Sequence, residues 1–166
     1  MIVLGIDPGT AAMGWGIIER RKAKGKGREI STKYVGHGAI KTPSTDSLSK
    51  RLVTIKRGVE RLVKEYGVEE IVIERVVFNA NKRSAISVAQ AYGVILLLAG
   101  EKNLPVHEYN ALEAKLVMTG HGRSDKKVVQ QEIRKRLHLK ETPTPVHAAD
   151  ALAIALCHVE KSRGAK

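Results

Sequence analysis

The run IVLGI at 2–6 is apolar throughout and closes on Asp7 and a Pro-Gly turn, the pattern of a short, centrally buried strand. MGWGIIE at 13–19 and KYVGHGAIK at 33–41 read as second and third strands, close enough in sequence to form an antiparallel meander with the first. Ser44, Thr45 or Asp46 can cap a helix running to about Tyr66. Its apolar positions, Leu48, Leu52, Ile55, Val59, Leu62 and Tyr66, recur at spacings of 4, 3, 4, 3 and 4 and define one helical face, with lysines and arginines elsewhere. EEIVIE at 69–74 is another apolar strand ended by an acid. A helix follows from about Lys82 to Lys102, then a last strand, PVHEY at 105–109. Asn110 opens a short helix, and a TGHGRS loop leads to a basic helix capped by Ser124 and running to about Leu139. Pro143 and Pro145 break the chain before HAADALAIAL at 147–156, an almost wholly apolar helix. The pattern predicts an α/β chain with a mixed five-stranded sheet, three strands as a meander and the others added in parallel, flanked by helices. No internal repeat or linker is visible, so residues 1–166 read as one domain.

The helix near 82–102 is apolar on two sides. Ile86, Ala89, Gly93, Leu96 and Gly100 form one face, and Val88, Tyr92, Ile95 and Ala99 a second. Such a helix needs two partners. Its own sheet supplies one, and a second copy of the chain can supply the other; burial wholly inside one subunit is the alternative.

Composition narrows the class. Hydrophobic residues make up 43% of the 166, enough for a folded core. The start has no signal-peptide pattern, and AYGVILLLAG at 91–100 is too short to span a membrane. A lone cysteine, Cys157, excludes an internal disulfide and fits a reducing cytoplasm. Lys and Arg number 29 against 17 acids, a net charge of +12, which favours a polyanion such as nucleic acid. Only 4% of residues are aromatic, which argues against a base-stacking platform and for phosphate contact with recognition of shape. The stretch RRKAKGKGRE at 20–29 reads either as a solvated hairpin tip or as a phosphate-contacting arm.

Against these apolar elements, four polar residues are out of place. Asp7 ends IVLGI and Glu74 ends IVIE, each on an otherwise buried strand where an unpaired carboxylate is costly. His147 and Asp150, three apart, share one face at the entrance of the last helix. Taken singly, Asp7 also reads as a turn residue, Glu74 as a strand-end acid facing solvent, and Asp150 as an acid favoured in a first helical turn. Taken together they suggest a site. The β-β-β-α-β order brings the fourth strand beside the first, so Asp7 and Glu74 become neighbours that the last helix can cover. Three carboxylates and an imidazole suit hard divalent cations, Mg²⁺ or Mn²⁺, and two such ions suit in-line attack on a phosphodiester.

At these residues the sequence resembles the RuvC family, the bacterial Holliday-junction resolvases. The resemblance is carried by the GIDPG start, the IVIE strand, the K-x-x-x-x-G stretch at 115–120 and the HAADALAIA finish, in that order, and runs from Ile2 to His158. It implies an RNase H-like fold, a homodimer, and Mg²⁺-dependent symmetric cutting of four-way DNA junctions, with a branch-migration motor as partner. The family's acidic cluster falls on Asp7, Glu74 and Asp150, its Asp-or-His position on His147, and its junction-contacting lysines on Lys115 and Lys126. One departure stands out. The aromatic that the family carries three residues after the strand glutamate is Val77 here, with Phe78 one position later. Phe78 therefore reads either as the junction-facing aromatic after a small loop shift or as a loop anchor in the core.

Arg75 beside Glu74 reads as a phosphate contact or as a charge partner. Lys126 and Lys127 open a helix where the dipole disfavours cations, a placement less costly if a phosphate docks at the free amides. His107 and His121 read as ordinary strand and loop histidines. The resulting expectation is a metal-dependent junction endonuclease. A non-catalytic junction binder would not need the acids, another RNase H-like nuclease would differ in substrate, and an ATPase would need a second phosphate-binding loop that is not seen.

Overall fold

The computed structural model describes residues 1–22, 30–75 and 82–164. One five-stranded sheet runs in the order β3-β2-β1-β4-β5, built from β1 (Ile2–Asp7), β2 (Ala12–Lys22), β3 (Ile30–Lys41), β4 (Glu70–Glu74) and β5 (Val106–Tyr109). β1, β2 and β3 form the antiparallel meander, while β4 joins β1, and β5 joins β4, in parallel. β2 and β3 extend beyond their apolar patterns, because ladder pairing continues through Arg20–Thr32 and Arg21–Ser31. Part of the expected basic tip is therefore strand, and the rest lies outside the described residues.

Alternation along the strands sorts side chains between two cores. Leu4 and Ile6 of β1, Ile71 and Ile73 of β4, and Val106 of β5 face a layer made by α1 (Leu48–Tyr66) and α2 (Lys82–Glu101). Val3 and Val72 face the opposite layer, made by α3 (Ala111–Thr119), α4 (Lys126–Arg136) and α5 (Val146–Gly164). The same alternation sends Asp7, Glu70 and Glu74 to the α5 side of the sheet. α5 is apolar almost all round because it is buried almost all round, from Ala148 to Val159 with few interruptions.

Helix ends follow local chemistry. The α1 cap is Ser47 rather than Ser44, Thr45 or Asp46; its hydroxyl accepts from the Lys50 amide, and Gly67 ends the helix at φ 63°. Asn110 and Glu113 form a reciprocal capping box on α3. Ser124 does not cap α4. Its hydroxyl lies 2.7 Å from that of Thr119 and donates to the His121 carbonyl, and the cap position falls to Asp125, whose side chain makes no capping bond. The helix ends at Arg136, three residues short of Leu139.

The two faces of α2 separate as the pattern implies. Ala91, Ile95, Leu98 and Ala99 are buried against the sheet and α1, whereas Ile86, Leu96 and Leu97 are exposed. No described helix is long and apolar enough to cross a membrane.

Candidate metal centre

β1 and β4 pair in parallel with Ile6 opposite Ile73, so the next residue on each strand, Asp7 and Glu74, stands at the same end of adjacent strands. α5 must come close to reach them, and small residues permit it. A Cβ at Gly14 would collide with the His147 backbone, and one at Gly5 with the Ala151 carbonyl. Both glycines lie on strands directly beneath α5, and the helix start is thereby lowered onto the end of β1.

His147 Nδ1 lies 2.7 Å from Asp7 Oδ2. One ligand atom each from Asp7, His147 and Asp150 fall within 4.8 Å of one another, a spacing that could hold a metal ion. Glu74 and Asp150 line a cleft of about 130 Å³ together with Lys115, Lys126 and an apolar wall that includes Ala114, Val129 and Ile154. The Lys126 ammonium donates to Asp150 Oδ2 at 3.0 Å.

The electrostatics of this cluster favour a cation. Burial, and then the charges of Asp7 and Asp150, push the Glu74 carboxyl up to about 7. Burial also raises Asp7, against the lowering effect of its bond to His147. Lys126 is held above its ordinary value, first by its hydrogen bond to Asp150. Carboxylates that resist ionisation beside one another become an avid oxygen site once a divalent ion supplies the missing charge. The converged donors, Asp7, Asp150 and His147, fit such an ion, with the Glu74 carboxyl in the adjoining cleft.

Thus the structure gathers Asp7, Glu74, His147 and Asp150 at one end of the sheet, with Lys115 and Lys126 on the cleft wall. Arg75 is turned toward Glu108, with Nε 3.3 Å from its carboxylate, and is exposed. Val77 and Phe78 lie outside the described residues. Pattern reading missed the spacing role of Gly5 and Gly14 and the apolar cleft wall. The small residues facing a helix as rich in alanine as α5 were the available signal for the former.

A mixed sheet ordered 3-2-1-4-5, with acids at the ends of its two central parallel strands and a third acid on a covering helix, defines the RNase H-like α/β class. Within that class the comparisons single out one family. A family model described as crossover junction endodeoxyribonuclease RuvC matches residues 3–158. The crossover junction endodeoxyribonuclease RuvC of Clostridioides difficile is 42% identical over 163 residues, covering 98% of this chain and 92% of that protein. Among solved structures, Thermus thermophilus RuvC superposes with a TM-score of 0.87 at 32% identity, covering 99% of this chain and 96% of that one. T. thermophilus RuvC in complex with a Holliday junction substrate gives 0.86 at 29% identity with the same coverage. The chain belongs to the RuvC family of crossover junction endodeoxyribonucleases.

Proposed function

We propose that this chain resolves Holliday junctions, making symmetric paired nicks in four-way DNA as a homodimer that uses Mg²⁺, with Mn²⁺ as a substitute. The observation that carries the reading is the convergence of Asp7, His147 and Asp150 within 4.8 Å, beside Glu74 in a cleft flanked by Lys115 and Lys126.

Asp7, Glu74, His147 and Asp150 would hold the metal. When bound, Mg²⁺ supplies positive charge at the attacked phosphate and acidifies water for attack, the contribution that two-ion nucleases use. The residues of the chain set the stage for that attack. Asp7 and His147 fix each other's orientation through their 2.7 Å contact. Lys126 balances Asp150 in the absence of other cations, and an incoming phosphate competes for its ammonium. Lys115, on the cleft wall, meets the backbone of the same strand. Hydrolysis that expels the 3′ oxygen leaves 5′-phosphate ends suited to rejoining. Arg75 and Phe78, flanking the end of β4, are the remaining DNA contacts in this reading.

The whole chain serves as one nuclease domain, the exposed face of α2 provides the dimer contact, a branch-migration motor supplies the junction, and the setting is the bacterial cytoplasm. The deciding experiment is a synthetic four-way junction incubated with Mg²⁺. Wild type should nick it in symmetric pairs. Asp7→Asn, Glu74→Gln and Asp150→Asn should bind it as tightly or more tightly, because negative charge near phosphates is removed, and should not cut. A Glu74→Gln protein that still cuts would refute the metal-site assignment, and a wild type that binds without cutting would make the chain a junction-binding module.

A further inference from the structure

On the same face of the sheet, at the other end, lies a second polar cluster. Glu70 opens β4, His107 lies on β5 and His158 is near the end of α5. Strand alternation turns Glu70 and His107 to the α5 side, where the helix's own His158 is buried. His158 Nε2 lies 2.9 Å from Glu70 Oε2, and His107 Nε2 lies 3.6 Å from the same oxygen. The two imidazoles stack with centroids 4.2 Å apart. His107 Nε2 is buried and has no hydrogen-bond partner, an arrangement that costs free energy unless something else occupies the nitrogen.

We propose that Glu70, His107 and His158 form a second metal site, for a borderline divalent ion of the zinc class, distinct from the Mg²⁺ centre. One ligand atom from each of the three residues lies within 4.8 Å of the others. Nitrogen and oxygen ligands on a tetrahedral zinc ion stand about 3.4 Å apart, given bonds of about 2.0–2.1 Å, so the observed 2.9 and 3.6 Å to Glu70 lie near that spacing, and the two stacked rings must tilt apart to aim both nitrogens at one ion. Two imidazoles and one carboxylate suit zinc and its neighbours rather than Mg²⁺, which prefers oxygen throughout. Supporting contacts are in place as well. His158 Nδ1 lies 3.1 Å from the Tyr109 hydroxyl, whose oxygen can accept a hydrogen bond from Nδ1–H and leave the Nε2 lone pair free for metal. Burial lowers the His158 pKa, keeping the ring in the neutral form that ligates. With three protein ligands, the fourth position is left for water.

The site would tie α5 to β4 and β5, the helix and strand that also carry Asp150 and Glu74. Four residues of β4 and eight of α5 separate the two centres, about 13 and 12 Å respectively, so an ion here braces the scaffold without reaching the cleft. The proposal stands independently of junction cutting and is tested without it.

The probe is Zn²⁺ itself, titrated against a chromophoric chelator into the full chain carrying Asp7→Asn and His147→Ala, which disable the other cluster. This protein should bind one Zn²⁺ per chain, and Zn²⁺ at a hundredfold excess over Kd should raise its Tm by about 5 °C or more. Adding His107→Gln should remove both effects while leaving the metal-free Tm within a few degrees. Should that variant fold poorly, Glu70→Gln reads the same two quantities. Binding and a Tm rise that survive either substitution, or no stoichiometric binding at micromolar Zn²⁺ in the parent, would overturn the proposal.

Discussion

Burial, together with the charges of Asp7 and Asp150, moves the Glu74 carboxyl from an ordinary 4.5 to about 7. A carboxyl that holds its proton more tightly in the folded chain contributes stability that is complete below its unfolded pKa and is lost as pH rises through the folded value. In metal-free protein the Glu74 contribution should therefore be lost between about pH 4.5 and 7, at most about 3–4 kcal/mol. Thermal unfolding of Glu74→Gln should show a smaller loss across that window. A divalent ion binds the ionised cluster, so the Tm rise that Mg²⁺ produces should be larger at about pH 8 than at about pH 5. Equal rises at both would mean that the ion does not engage these carboxylates. His147 offers a companion measurement. Its Nδ1 is hydrogen-bonded to Asp7, so in the proposed site His147→Ala would remove a ligand and free the aspartate to turn. Half-maximal cutting should then require about tenfold more Mg²⁺ or beyond, while His147→Asp, which restores an oxygen ligand, should need little extra. An alanine variant with unchanged metal demand would reduce His147 to a residue that opens a helix.

At the scale of elements, the parts of the site differ in how visible they were. Asp7 and Glu74 could be found because a charged residue interrupts an otherwise unbroken apolar run, and the crossover through α1 brings β4 beside β1. Asp150 and His147 stood out against an alanine-rich helix for the same reason. Cap positions were less accessible: Ser44, Thr45, Asp46 and Ser47 are all competent, and the choice depends on where the α1 face meets the sheet. Ser124 looked like a cap and instead closes the turn after α3, since Thr119 and the His121 carbonyl compete for its hydroxyl. The Glu70, His107 and His158 cluster escaped notice because each member alone is an ordinary polar residue and only the packing of α5 brings them together. The closeness of α5 to the sheet is itself testable. Gly14→Ala places a methyl group against the His147 backbone, which should lift the helix start, cost about 1–3 kcal/mol in denaturant unfolding, and slow cutting more than it weakens junction binding. A fully active Gly14→Ala protein would show that the helix start tolerates displacement.

For the whole molecule, a net charge of +12 sets long-range attraction to DNA, and local lysines should set its salt dependence. Log affinity for a junction should fall linearly with log salt, with a slope shallower by about 1 in Lys115→Ala if that side chain neutralises one phosphate. An unchanged slope would make Lys115 a bystander on the cleft wall. The proposed dimer would set the symmetry of cutting, and the burial of α2 decides which residues can test it. Ile95 is fully buried and Tyr92 packs on the subunit's own core, so a charge at Ile95 should disrupt folding rather than separate two subunits. Leu96 and Leu97 lie on the outer face, 40% and 59% exposed. Leu97→Asp should therefore leave the fold intact, shift the mass seen by light scattering from twice the 18.2 kDa chain to one chain, and break the timing of paired incisions. Each released subunit keeps its own Asp7, Glu74, His147 and Asp150, so single nicks should continue. On a supercoiled plasmid bearing an extruded cruciform, the product should change from linear DNA, made when both strands are cut within one binding event, to nicked circles, made when they are not. A Leu97→Asp protein that remains dimeric and still linearises the plasmid would place the subunit contact elsewhere on the surface.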